Sequence, residues 1–206
     1  MTLDPGHFRE RYSASPDPYR LADRWYEARK YAVTVALLPR ERYRSAFEPG
    51  CSIGVLTAQL AARCDSLLSC DAIPEAVASA RARTAGRPGV RVEQRVVPGE
   101  WPTGSFDLIA FSEILYYFDD ADLDQMLRLG ILALRPGGHL IAVHWRHPAP
   151  DHPRAGDAVH EILADDPRLA RLARYRDQDF TAEVYARSDG DLRSVAQAEG
   201  DRKSVV

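Results

Sequence analysis

The sequence predicts an α/β fold: a doubly wound, largely parallel sheet of seven strands that ends in an antiparallel hairpin. Three observations carry this. Strand-length apolar runs alternate with helical periodicity along most of the chain, the order a parallel sheet covered on both faces requires. The loop Glu48-Pro49-Gly50-Cys51-Ser52-Ile53-Gly54 follows the first strand and leads directly into a helix. The last two strands are separated only by Asp177-Gln178-Asp179, too short for a crossover. Right-handed crossovers make the rest doubly wound.

The elements follow in order. Asp4-Pro5-Gly6 and Ser15-Pro16-Asp17-Pro18 resist a long helix, so the first 20 or so residues read as an irregular arm. A helix is predicted over 21–38, with Leu21, Trp25, Ala28, Ala32, Val35 and Leu38 at threes and fours and Pro39 ending it. A strand over 44–48 enters the glycine loop. A helix over 55–63, a strand over 66–71 and a helix from Pro74 to about Thr84 come next. Strands are predicted over 90–97 and 106–111. The helix over 119–134 has Asp119, Asp120 and Asp122 at its positive end. Arg135-Pro136-Gly137-Gly138 turns the chain into a strand over 139–145. A helix near 155–164 and hairpin strands over 172–176 and 180–186 complete the series. Residues 1–187 read as a single domain, with 1–38 as its arm and cap helix. Apolar content falls from Ser188, so 188–206 are predicted to be a disordered tail.

Composition narrows the function. The 206 residues are enough to bury about 70% of the unfolded surface without staples. The net charge is −3, from 27 basic and 30 acidic residues, which argues against nucleic-acid binding by phosphate neutralisation. Cys51, Cys64 and Cys70 have no CxxC spacing, which disfavours a disulfide framework or a zinc knuckle and favours a reducing, cytoplasmic setting. The polar start MTLDPGHFRERY has no signal-peptide pattern, and no apolar run reaches about 18 residues, so no membrane partner is expected.

In open parallel sheets, ligands bind beyond the carboxyl ends of the strands at the switch point. There Gly50 lets backbone approach a ligand, Gly54 lets the next helix pack closely, and that helix's N-terminus offers N–H groups to an anion. Asp71, seventeen residues past Gly54, ends the second strand, where a carboxylate can accept two ribose hydroxyls. The plain alternative is a tight turn with Asp71 as a helix cap. Ser52 replaces the middle glycine of GxGxxG.

Three further features add to this loop. Phe106-Asp107-Leu108-Ile109 opens the fourth strand, Ser112-Glu113 lies at its end, and Leu134-Arg135-Pro136-Gly137-Gly138 opens the fifth. Together with the ExGxxxG loop and the acidic end of strand two, this pattern resembles the Rossmann-like class I S-adenosylmethionine-dependent methyltransferases over residues 46–143, and more loosely to 186. Asp17-Pro18-Tyr19-Arg20, Trp25-Tyr26-Glu27-Ala28-Arg29-Lys30 and Ser112-Glu113-Ile114-Leu115-Tyr116-Tyr117 are similar to the NodS-like nodulation N-methyltransferases. That group methylates an amine on a deacetylated chitooligosaccharide. The resemblance implies S-adenosyl-L-methionine as cofactor. It implies Glu48, Gly50 and Gly54 shaping the cofactor loop, backbone around Cys51 facing the methionine part, Asp71 on the ribose and Ile73 on adenine. The family often places an acidic or amide residue against the adenine amino group. Val96 stands there, so backbone near Val97 takes that role. The resemblance also implies that the arm and first helix close over the cofactor, with Tyr19, Tyr26 and Arg29 as candidates and Arg29 suited to the methionine carboxylate.

Five of the six histidines fall between His139 and His160. An amine acceptor must lose a proton before it can attack a methyl group, and histidine is the ready base near neutrality. His144, at a strand end, comes first, followed by His160 and Glu113; Tyr117 is placed to hydrogen-bond the amine. Arg146 and Asp157 would grip polar substrate groups, and Trp25, Tyr116, Tyr117 and Trp145 would stack on sugar rings. A metal site is the competing reading of the histidines. No thiolate or HExxH motif accompanies them, and none is predicted. The expected partner is a small-molecule or oligosaccharide acceptor. An O-methyltransferase, a nicotinamide-dependent oxidoreductase and a non-catalytic binding module are the other functions weighed.

Overall fold

The computed structural model describes residues 1–150, 152–190 and 192–200. Seven strands form one sheet: β1 (Tyr43–Pro49), β2 (Cys64–Asp71), β3 (Val90–Gln94), β4 (Phe106–Ser112), β5 (Leu134–Trp145), β6 (Leu169–Arg176) and β7 (Phe180–Arg187). Their order is β3-β2-β1-β4-β5-β7-β6. Strands β1 to β5 run parallel, and β7 pairs antiparallel with both β5 and β6. The expected doubly wound sheet with its closing hairpin is therefore present. Strand order reverses between β1 and β4, and the diverging connections leave a crevice at their carboxyl ends.

The helices are α1 (Pro5–Ala14), α2 (Trp25–Ala36), α3 (Val55–Leu60), α4 (Pro74–Arg83), α5 (Asp120–Ala133), α6 (Gly156–Asp165) and α7 (Val195–Ala198). Side chains alternate between sheet faces. Ala46, Leu108 and Ala110 join the core beneath α2 and α3, whereas Phe47, Ile109 and Phe111 join the core beneath α5 and α6. Trp101 packs edge-on against Phe47 at 5.0 Å in that second core.

The motifs around Asp107 and Gly138 hold the end of the sheet opposite the crevice. Asp107 is buried, accepts the Ser45 N–H at 3.1 Å and pairs with Arg135 at 3.3 Å. A Cβ on Gly138 would lie 2.9 Å from the Arg135 carbonyl oxygen. These contacts tie the amino ends of β1, β4 and β5 together.

Four expectations change. The arm contains a helix, α1, because Asp4 caps it and Pro5 occupies its first turn, where a missing N–H costs nothing. The prolines at 16 and 18 lie beyond its end. Second, α2 starts at Trp25 and buries a different face from the predicted one: Glu27, Lys30, Tyr31 and Thr34 point inward, while Trp25 is 78% exposed. Third, β5 begins at Leu134, so the glycine turn is a bulge within the strand. Fourth, the third strand stops at Gln94. The predicted tail is described as far as Gly200; Val195–Ala198 forms one exposed, Ser194-capped turn, and 201–206 lie outside the described residues. Among the described residues, no helix is long and apolar enough to cross a membrane.

Gly54 has φ +76°, and an added Cβ would meet the Ala80 backbone at 2.9 Å. Gly54→Ala is therefore expected to lower unfolding free energy by about 1–3 kcal/mol, read as a lower urea midpoint at unchanged slope.

Candidate active site

A cleft of about 1300 Å³ opens at the carboxyl ends of β1, β2 and β4, walled by α1 and α2. Ligand pockets commonly hold about 300–1,000 Å³, so two small molecules can share it.

One half is built on the glycine loop. Gly50 has φ +72° and Ser52 φ +50°, a tight path that exposes backbone to the cleft. Asp71 accepts N–H groups from Ser52 at 2.8 Å and Ile73 at 3.0 Å. Burial pushes its carboxyl above the usual range, against those bonds. Beneath the loop, Glu48 accepts hydroxyls from Thr57 at 2.6 Å and Ser69 at 2.8 Å, and burial pushes it up to about 7. Burial also raises the Cys51 thiol well above its ordinary value. Ile73, Val96, Val97 and Tyr19 line the wall, and the Tyr12 hydroxyl closes over the loop by bonding Ser52. Glu48, Gly50, Cys51 and Asp71 also line the cleft. Gly54 does not; it packs α3 against α4.

The other half centres on Glu113, just past β4, with φ +54°. A non-glycine residue held there stores strain, which surrounding structure must impose. Three donors do so. Lys30 Nζ meets Oε1 at 2.6 Å, while the Tyr116 hydroxyl at 2.6 Å and the Trp145 N–H at 2.9 Å donate to Oε2. An ionised carboxylate has about four lone-pair sites, so one stays available. Lys30 also lies 2.9 Å from Glu27 Oε2. Burial disfavours the Lys30 ammonium, but Glu113 and Glu27 more than offset this, and its pKa is raised. Tyr26, Tyr117, Trp145 and His147 complete this half, with His147 Nε2 bonded to Asp179 at 2.9 Å.

Several sequence candidates stand elsewhere. His144 is fully buried and turned away from the cleft, because strand alternation places it beneath α6 with Leu140 and Ala142. The Leu115 N–H donates to its Nε2 at 3.3 Å, so its Nδ1–H donates to His160 Nε2 at 3.2 Å, and His160 Nδ1–H to Glu183 at 2.6 Å. Burial, then the His160, Lys30 and His152 charges, hold His144 well below 6.5. His144 is thus a neutral member of a hydrogen-bonded chain that runs through His160 to Glu183 behind the site, and neither histidine lines the cleft. Arg29 faces the hairpin: it pairs with Asp177 at 2.7 Å and bonds the Tyr175 hydroxyl. Arg11 and Arg24 are cations that line the cleft. Arg146 and Asp157 pair with each other at 2.9 Å, outside the cleft. Sequence reasoning missed Glu27, Lys30 and Tyr12. A Glu-x-x-Lys pair on the cap helix, repeated at Tyr31 and Thr34, was the available signal. Among the described residues no three His, Cys, Asp or Glu side chains are grouped to hold a metal.

Comparison with known proteins agrees with this geometry. The nodulation protein S family matches residues 6–148. Nodulation protein S of Bradyrhizobium diazoefficiens is 33% identical over 68% of this chain and 69% of its own. The crystal structure of the N-methyltransferase NodS from Bradyrhizobium japonicum WM9, in complex with S-adenosyl-L-homocysteine, has a TM-score of 0.77 and 25% identity over 88% of this chain and 97% of its own. A Pseudomonas syringae crystal structure bearing a methyltransferase assignment is 49% identical, with a TM-score of 0.71, over 80% of this chain and all of its own. The fold and cleft define an S-adenosyl-L-methionine-dependent methyltransferase. The chain belongs to the nodulation protein S (NodS) family.

Glu48 gives a pH signature. Its folded carboxyl binds a proton up to about pH 7, against an ordinary value of 4.5. Its contribution to stability is full below about pH 4.5 and is lost as pH rises through about 7. Urea unfolding is expected to show that fall in the wild type and a flatter profile in Glu48→Gln.

Proposed function

We propose that this enzyme N-methylates a primary amine on an amino sugar of the deacetylated chitooligosaccharide type, or a similar small-molecule amine. The observation that carries this reading is the Glu113 carboxylate, aimed into the cleft with one acceptor site left. An amine presents N–H donors and must shed a proton; a carboxylate fixed at that point accepts it. His144 gives up the role of base to Glu113.

The donor set fits S-adenosyl-L-methionine. Asp71 suits a pair of vicinal hydroxyls, Ile73 and Val97 provide apolar walls for a purine, and Glu48, Gly50 and Cys51 shape the loop beneath the methionine part. Arg11 and Arg24 take over from Arg29 as cations for a carboxylate. When bound, the cofactor supplies an electrophilic methyl on a sulfonium. The protein's part is to hold the amine lone pair in line, exclude water and take up its proton at Glu113 Oε1. Tyr117 and Trp145 give aromatic faces for sugar rings, and Tyr116 orients Glu113. Three buried free thiols suit a reducing cytoplasm.

Two outcomes test this. With labelled cofactor, the wild type is expected to methylate glucosamine oligomers, and Glu113→Gln to lower kcat roughly 10²–10⁴-fold. Transfer to phenols with amines inert would overturn N-transfer. Asp71→Ala is expected to weaken S-adenosyl-L-homocysteine binding in calorimetry by roughly 1.5–3 kcal/mol.

A further inference from the structure

The Tyr26 hydroxyl is buried in the cleft wall with no hydrogen-bond partner, and beside it Glu27 Oε2 meets the Lys30 ammonium at 2.9 Å without a well-aligned hydrogen bond. Both belong to the first turn of α2 and line the cleft. Glu27 is 7% exposed. A buried hydroxyl with no partner is costly, so such an atom in a ligand cleft marks where a polar group arrives.

The local charge says which kind. Glu27 and Glu113 grip the same ammonium, that of Lys30, at 2.9 and 2.6 Å. Two carboxylates against one ammonium leave a net charge of −1 in a largely desolvated corner. A neutral hydroxyl would leave that charge uncompensated, and an anion would double the problem. A second ammonium balances it. Lys30 cannot serve as that second cation, because it is already counted, and its ring contact with Tyr26 at 4.9 Å fixes it in place.

We propose that Tyr26, Glu27 and Glu113 form an ammonium subsite that captures the acceptor in its protonated form, with Lys30 as the fixed cation that holds the two carboxylates apart. This rests on the N-methyltransferase reading and adds the recognition step to it. The acceptor enters as R–NH3⁺ and neutralises the corner. Glu113 then takes one proton, leaving R–NH2 and a neutral carboxyl, with no other reactant needed. Selection against N-acetylated sugars follows, since an amide carries no charge.

The test is a binding titration of S-adenosyl-L-homocysteine-saturated protein with a glucosamine tetramer and with its fully N-acetylated counterpart. Wild type is expected to bind the amine form, and Glu27→Gln to bind it about tenfold or more weakly, with the acetylated form unaffected. Tyr26→Phe, which deletes only the unpartnered hydroxyl, is expected to shift binding the same way by a smaller factor. It stands in if Glu27→Gln does not fold. Unchanged amine affinity in these variants, or no binding of the amine form by wild type, overturns the subsite. Weakened binding of S-adenosyl-L-homocysteine or S-adenosyl-L-methionine themselves assigns the corner to the cofactor's own cations and also overturns it. Methylation of the tetramer by wild type is scored separately. If it persists while the variants bind normally, only the subsite fails; if it is absent, the functional reading fails.

Discussion

The Lys30–Glu113 ion pair is the constraint on which the site depends. It joins the cap helix to the end of β4, two segments far apart in sequence, with 2.6 Å between nitrogen and oxygen. Glu113 in turn collects the Tyr116 hydroxyl and the backbone of Trp145. One carboxylate thus gathers α2, the turn after β4 and the end of β5. The left-handed backbone at Glu113 is held by these bonds together. The chain from Leu115 through His144 and His160 to Glu183 supports the same turn from behind. Arg171 at 3.0 Å and Arg174 at 3.2 Å complete the ionic surroundings of Glu183 at the sheet edge.

The strand anchors and the Glu113 half of the cleft lie at opposite ends of the sheet. Asp107, Arg135 and Gly138 secure the amino ends of the central strands and touch no part of the cleft. The half centred on Glu113 comes from α2, the β4 turn and the end of β5. Those segments can vary with the substrate while the strand anchors stay in place, so fold likeness does not by itself choose a substrate.

How much of this was legible in the sequence follows from the range of each interaction. The strand–helix alternation and the hairpin were readable because periodicity, glycine turns and loop length are local. That Glu48, Gly50 and Asp71 meet at one cleft was readable for the same reason, since they lie on or next to one loop. The half of the cleft centred on Glu113 was not. Placing His144 near the ligand ignored the alternation that puts it beneath α6, although Leu140 and Ala142 gave the parity. Reading α2 by its apolar residues chose the wrong face, because this helix buries charge that is compensated by Glu113, 83 residues on from Lys30. No local pattern encodes that pairing. Arg29 went astray by the same logic, since its partner Asp177 sits in the hairpin.

The three tryptophans divide the molecule into optical zones. Trp25 stands in solvent, Trp101 is packed against Phe47 in the core, and Trp145 lines the cleft, its backbone N–H bonded to Glu113. Each indole therefore meets a different polarity. Emission from Trp145 follows occupancy of the cleft, that of Trp101 follows the integrity of the core, and the Trp25 signal serves as an internal water-exposed reference. Ligand capture and unfolding can be told apart by colour in the native chain, with no dye attached.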